Sequence, residues 1–138
     1  METQGRAVRT AGKRPLFASQ VCAGFPSPAD DYLEGRLDLN EHLIRHPAAT
    51  FFVRAAGDSM TGAGIHHGDI LIVDRALEAK DGAVVIAVLD GELTVKRLAR
   101  SGARGYLMPD NSRYAPIELG DETEVTVWGV VTHVIHAL

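Results

Sequence analysis

Cysteine, aromatic residues and long apolar runs are all scarce in this sequence. Cys22 is the single cysteine, so no disulfide forms within the chain, and a reducing compartment, the cytoplasm, is the expected location. No apolar stretch approaches the roughly 18 residues that span a bilayer, and the first 20 residues lack the apolar segment of a signal peptide. Neither secretion nor a membrane partner is expected. Also missing are an internal repeat, a low-complexity tract and a glycine loop opening a helix, the usual phosphate cradle. Metal-ligand spacing does not recur. His66-His67 with Asp58 and Asp69 could suggest a metal or a Ser-His-Asp triad, but adjacent side chains of an extended segment point apart. The expectation is no metal and no cofactor, with His133 and His136 solvent-facing or satisfied in the core and Trp128 in the core.

Positive charge is scarce where DNA contact would need it. Arg6, Arg9, Lys13 and Arg14 oppose only Glu2 in the first 27 residues, so that stretch carries +3 and the remainder −7 of the net −4. An acidic body predicts little direct DNA binding, because phosphate contacts come mainly from Lys and Arg. The basic arm could touch nucleic acid or an acidic protein, or be a solvated tail.

What is present is aliphatic content in short runs, 46% apolar residues and 14 glycines in 138 residues. That is the pattern of one mainly β domain, long enough to bury about two-thirds of its unfolded surface. Residues 1 to about 20 lack periodicity and read as a mobile arm. Residues 21 to 28 hold Pro26 and Pro28, which force extended conformations on the residues before them, a form suited to a cleavable linker or a hinge. Pro28 to Arg36 is predicted as a short helix, with Asp30 and Asp31 in its first turn, and Asp38 to His46 as a second, stopped by Pro47. Strands are predicted at Thr50 to Ala56, Asp69 to Asp74, Ala83 to Leu89, Glu92 to Leu98, Tyr106 to Met108 and Glu124 to Ile135.

Two residues stand out against this background. Ser59 follows Gly57-Asp58 at the end of a strand pattern, so its hydroxyl is offered at a sheet edge, with Gly62-Ala63-Gly64 as a flexible turn beside it. Turn chemistry alone also accounts for such a serine. Lys96 lies inside a strand pattern. Asp90-Gly91 between apolar runs is a two-residue hairpin signal; with Leu89 facing Glu92, Val85 faces Lys96. Lys96 then shares a face with Ala83, Val85, Ala87, Thr94 and Leu98. Desolvation there would lower its pKa and make it a candidate base, since only about 0.1% of an ordinary lysine is neutral near pH 7.4. An edge lysine that snorkels to water is the alternative.

In order along the chain, Gly24-Phe25-Pro26-Ser27-Pro28, Asp38-Leu39-Asn40, Gly57-Asp58-Ser59-Met60, Gly68-Asp69-Ile70-Leu71-Ile72-Val73-Asp74, Asp90-Gly91-Glu92-Leu93-Thr94-Val95-Lys96 and Gly129-Val130-Val131-Thr132-His133-Val134 resemble the self-cleaving LexA/UmuD-type serine peptidases, the UmuD branch in particular. The resemblance implies twisted antiparallel sheets with one or two short helices, a mobile arm over residues 1–23 and a peptidase domain over 24–138. It makes Ser59 the nucleophile and Lys96 the general base, with the Ser59 and Asp58 amides as oxyanion donors. It implies self-cleavage in the DNA-damage response, triggered by a RecA filament on single-stranded DNA. The shortened homodimer would then serve a UmuC-like translesion polymerase. UmuD-type cleavage falls between cysteine and glycine, whereas here Ala23 precedes Gly24 and Cys22 lies one place earlier. The bond assigned is Ala23-Gly24, with Cys22-Ala23 as the alternative.

Three other readings compete. A LexA-like repressor lacks space for a helix-turn-helix before residue 30. A leader peptidase, which shares a Ser-Met pair and a lysine base, lacks its anchor. A non-enzymatic β-domain subunit of a polymerase would keep Ser59 and Lys96 as structural residues.

Overall fold

The computed structural model describes residues 12–18, 20–24 and 33–138. They fall in two compact units, one within Met1–Arg45 and the other His46–Leu138.

In the first unit, β1 (Lys13–Phe17) pairs antiparallel with β2 (Leu33–Asp38), which runs into the short helix α1 (Leu39–Leu43). Asp38 caps α1 through its carboxylate, which accepts from the Asn40 amide at 3.0 Å. Two expectations are corrected here. Residues 13–17 are a strand rather than part of a structureless arm, and Leu33–Arg36 is strand rather than helix. Leu33, Gly35 and Leu37 repeat with period two, a pattern that the acidic pair Asp30-Asp31 obscured. Pro15 is tolerated because β1 is an edge strand that needs no donor there. The expected extended segment from Phe25 to Pro28, residues 28 to 32 of the first predicted helix, and residues 1 to 11 lie outside the described residues. The second predicted helix forms only over Leu39–Leu43, because Ile44 already has extended dihedrals.

The second unit is a seven-stranded antiparallel sheet. Its strands are β3 (Thr50–Arg54), β4 (Ile70–Asp74), β5 (Val84–Leu89), β6 (Glu92–Ser101), β7 (Arg104–Met108), β8 (Ile117–Leu119) and β9 (Val125–Ile135), in spatial order β3-β4-β9-β5-β6-β7-β8. Mainly β architecture, with one short α-helix among the described residues, is as expected. Strand β8 escaped the sequence reading because three residues are too short for a periodicity. The last strand enters the middle of the sheet and joins β3-β4 to the meander β5 to β8. Register shifts occur where β9 meets β4, between Ile72 and Val73, and where it meets β5, between Ile86 and Ala87. Such bulges increase local twist.

Twist lets the sheet bury both faces. On β5, Ile86 packs with Ala55, Met60, Ile65, Leu71 and Val73, while its neighbours Val85 and Ala87 pack with Leu107 on the other side. Trp128 lies against Phe51, ring centroids 4.5 Å apart, and is partly buried rather than fully in the core. Leu107 is fully buried on β7. Leu107→Ala should cost about 2–5 kcal/mol, seen as a lower urea midpoint at unchanged slope.

Each end of β4 carries a buried carboxylate held by a histidine. Asp74 meets His46 Nδ1 at 2.6 Å and Asp69 meets His136 Nδ1 at 2.6 Å. Burial opposes ionisation of both. For Asp74, the hydrogen bonds from His46 and the Ala76 amide outweigh it and hold the carboxyl below its usual range.

Candidate active site

Strand β3 delivers the serine. Its ladder with β4 continues one step past Arg54, the Ala55 amide donating to Asp69 O and the Gly68 amide to Ala55 O, both at 2.8 Å. The chain then turns out at Gly57, whose amide donates to His67 Nδ1 at 3.0 Å. Met60 re-enters the core at 2% exposure, so Ser59 is held between an anchored strand end and an anchored side chain.

A second segment, Asp110 to Tyr114, clamps the turn from the other side. The Asp110 amide donates to Ser59 O at 2.8 Å, Asn111 Nδ2 to Asp58 O at 2.8 Å, and Tyr114 O–H to the Asp58 carboxylate. That last bond holds the phenol's pKa above its ordinary value. Gly62 is not a flexible spacer as expected. It lies in a 3₁₀ turn, its amide donates to Asp110 O at 2.7 Å, and a Cβ there would stand 2.6 Å from the same oxygen. Only glycine allows the approach.

Strand β6 delivers the lysine. The hairpin forms in the expected register, Leu89 opposite Glu92 and Val85 opposite Lys96, with positive φ at both Asp90 (49°) and Gly91 (85°). Lys96 Nζ donates to Ser59 Oγ at 2.9 Å, Thr94 Oγ1 at 2.9 Å and Val95 O at 3.1 Å. No carboxylate shares these contacts. Burial pushes the amine's pKa below that of a free lysine. As an ammonium, Lys96 meets these three acceptors with its three N–H bonds; once deprotonated, it keeps two N–H bonds for Thr94 and Val95 and turns its lone pair to the Ser59 hydroxyl.

Serine and lysine open on one cleft of about 190 Å³, whose apolar wall includes Val53, Ala55, Leu71, Ile86 and Leu93. Of the neighbours expected on the lysine's own face, Thr94 also lines the cleft and accepts from the amine. Thr94 was legible two residues before Lys96 on one strand, although its role was missed. Asp110 and Asn111 carried no sequence signal beyond turn composition. Ala23 and Gly24 lie exposed in a bend of the first unit. His67 and His66 diverge, as adjacent residues should, His67 to Gly57 and His66 toward Asp69. Thr94→Val, which removes one acceptor from the amine, should slow any reaction that uses Lys96 as base about tenfold, the worth of one hydrogen bond. Circular dichroism should stay unchanged.

A hydroxyl paired with a half-buried amine beside an apolar cleft suits a serine hydrolase with a lysine base. Residues 15–132 match the Peptidase S24-like family profile. The chain belongs to this family. Protein ImpA of Salmonella typhimurium is 53% identical over 123 residues, 89% of this chain and 83% of that protein. Protein MucA of Escherichia coli is 45% identical over 120 residues, 86% and 82% of the two chains. The LexA repressor of Shewanella denitrificans is 39% identical over 122 residues, 88% of this chain but 58% of the repressor. Ser59, Lys96 and the clamp around them fall inside the matched range. Among the described residues, no helix is long and apolar enough to cross a membrane.

Proposed function

We propose that this S24-like chain is a UmuD-type, self-cleaving serine peptidase of the DNA-damage response that cuts its own Ala23-Gly24 bond. The observation that carries this reading is the 2.9 Å contact between Lys96 Nζ and Ser59 Oγ in a cleft that lowers the amine's pKa.

Neutral Lys96 takes the Ser59 proton as Oγ attacks the Ala23 carbonyl carbon. The oxyanion of the tetrahedral intermediate is met by the Ser59 and Asp58 amides; the Gly57 amide is already engaged by His67. Loss of one such donor typically costs about 10²–10³ in rate. Collapse breaks the C–N bond, and the Lys96 ammonium returns its proton to the departing Gly24 amine. Water then attacks the ester on Ser59 as Lys96 again accepts a proton; the Ser59 C–O bond breaks with that proton returned to Oγ, and the Ala23 carboxylic acid leaves and ionises to a carboxylate. The small apolar cleft suits an alanine side chain before the scissile bond.

Regulation in this reading is a docking equilibrium. A RecA filament on single-stranded DNA favours the state in which the linker occupies the cleft, and supplies no chemistry itself. The shortened chain, as a homodimer in the cytoplasm, serves as accessory subunit of a UmuC-like translesion polymerase. Tag-free full-length protein incubated with RecA, single-stranded DNA and nucleotide should yield two fragments, 1–23 and 24–138, by intact mass. An uncut chain, or a cut at Cys22-Ala23 or elsewhere, would overturn the assignment.

A further inference from the structure

Three side chains outside the dyad converge at the far end of β4. Antiparallel pairing sets Ile70 opposite Ile135, so the preceding Asp69 is brought level with the following His136. His66, three residues upstream, folds over the same carboxylate, its amide donating to Asp69 Oδ2 at 2.7 Å. The Asp69 amide donates back to His66 O at 3.0 Å, which closes a tight loop, and Asp69 O accepts from Ala55. The backbone therefore presets all three groups.

Their chemistry is that of a cation site. Asp69 is only 5% exposed, yet its oxygens face two imidazoles rather than a lysine or arginine. His136 Nδ1 lies 2.6 Å from Oδ1 and His66 Nδ1 3.8 Å from Oδ2, and the two rings stand 4.6 Å apart. One donor atom from each residue lies within 4.8 Å of the others. Ligands about 2.1 Å from a tetrahedral zinc ion stand about 3.4 Å apart, between the two measured contacts. Small rotations of exposed histidine side chains, 49% and 39% accessible, would close that gap while the carboxylate stays fixed.

We propose that His66, Asp69 and His136 bind one divalent transition-metal ion of the zinc class, with water completing the coordination. Two nitrogen donors and one carboxylate oxygen select such borderline ions over calcium or magnesium, which prefer all-oxygen shells. The His66 amide, already bonded to Asp69, is the outer partner that orients the carboxylate. A bound ion would tie the end of β9 to the loop before β4, and a ligand held only by the folded state raises stability.

Cobalt(II) titrated into tag-free full-length protein tests this. The expected result is a visible d–d absorption band that saturates at one equivalent, is displaced by zinc and is unaffected by magnesium. His66→Gln and His136→Gln, both at exposed side chains, should each weaken cobalt binding at least about tenfold while circular dichroism stays native. His133→Gln, within β9 three residues before His136, should bind as the unaltered protein does. No saturable band, a band undiminished in both His66→Gln and His136→Gln, or equal loss in His133→Gln would each overturn the proposal. None of these outcomes depends on Ser59 or Lys96.

Discussion

Self-cleavage should accelerate about tenfold for each pH unit while the pH lies below the pKa of Lys96, and then level off. The sign follows from the base. Only the neutral amine accepts the Ser59 proton, and its fraction rises with pH until the ammonium is exhausted. Burial lowers the pKa, so the plateau begins at a lower pH than a free lysine would give. Time courses of intact mass across a pH series check this. A rate that is flat, or that falls as pH rises through the neutral range, is incompatible with a lysine base.

The largest effect belongs to the dyad itself. Ser59→Ala removes the proposed nucleophile and Lys96→Ala the proposed base, and each alone should reduce cleavage about 10⁴-fold or more, to background. The double variant should be no slower than either single one, because the two groups act as a unit. Lys96→Arg should be equally inactive, since a guanidinium does not deprotonate at usable pH. Native circular dichroism should persist in Ser59→Ala, where only a half-buried hydroxyl is lost. Fragment 24–138 formed at an undiminished rate by Ser59→Ala would remove the nucleophile assignment.

The parts of this arrangement that sequence could reveal are those set by local rules. Asp90-Gly91 specified a hairpin and a register, and that register put Lys96 opposite Val85. Alternating apolar residues marked β3 to β7 and β9 to within a few residues. Where the reading failed, a long-range partner decided the outcome. Leu33 to Asp38 became a strand by pairing with Lys13 to Phe17, and Gly62 was required by Asp110, 48 residues later. The register placed Lys96 opposite Val85 as expected, but it did not reveal the amine's contact with a distant segment. Pleat alternation places residues on a face, but a long side chain at a twisted strand reaches atoms of another, here Ser59 Oγ. Likewise His136 looked like an idle residue at a strand end, and only the β4-β9 register set it beside Asp69, 67 positions earlier.

The protonation of Lys96 is the central claim, and the nitrogen-15 resonance of its Nζ reports it directly. Full-length Ser59→Ala protein, expected to stay uncut, keeps the apolar cleft and the Thr94 and Val95 acceptors. A titration midpoint below the value of about 10.4 for a free lysine is the result predicted here. A midpoint at or above that value would contradict it, for Lys96 would then be an ammonium throughout the working range and unable to take the proton from Ser59.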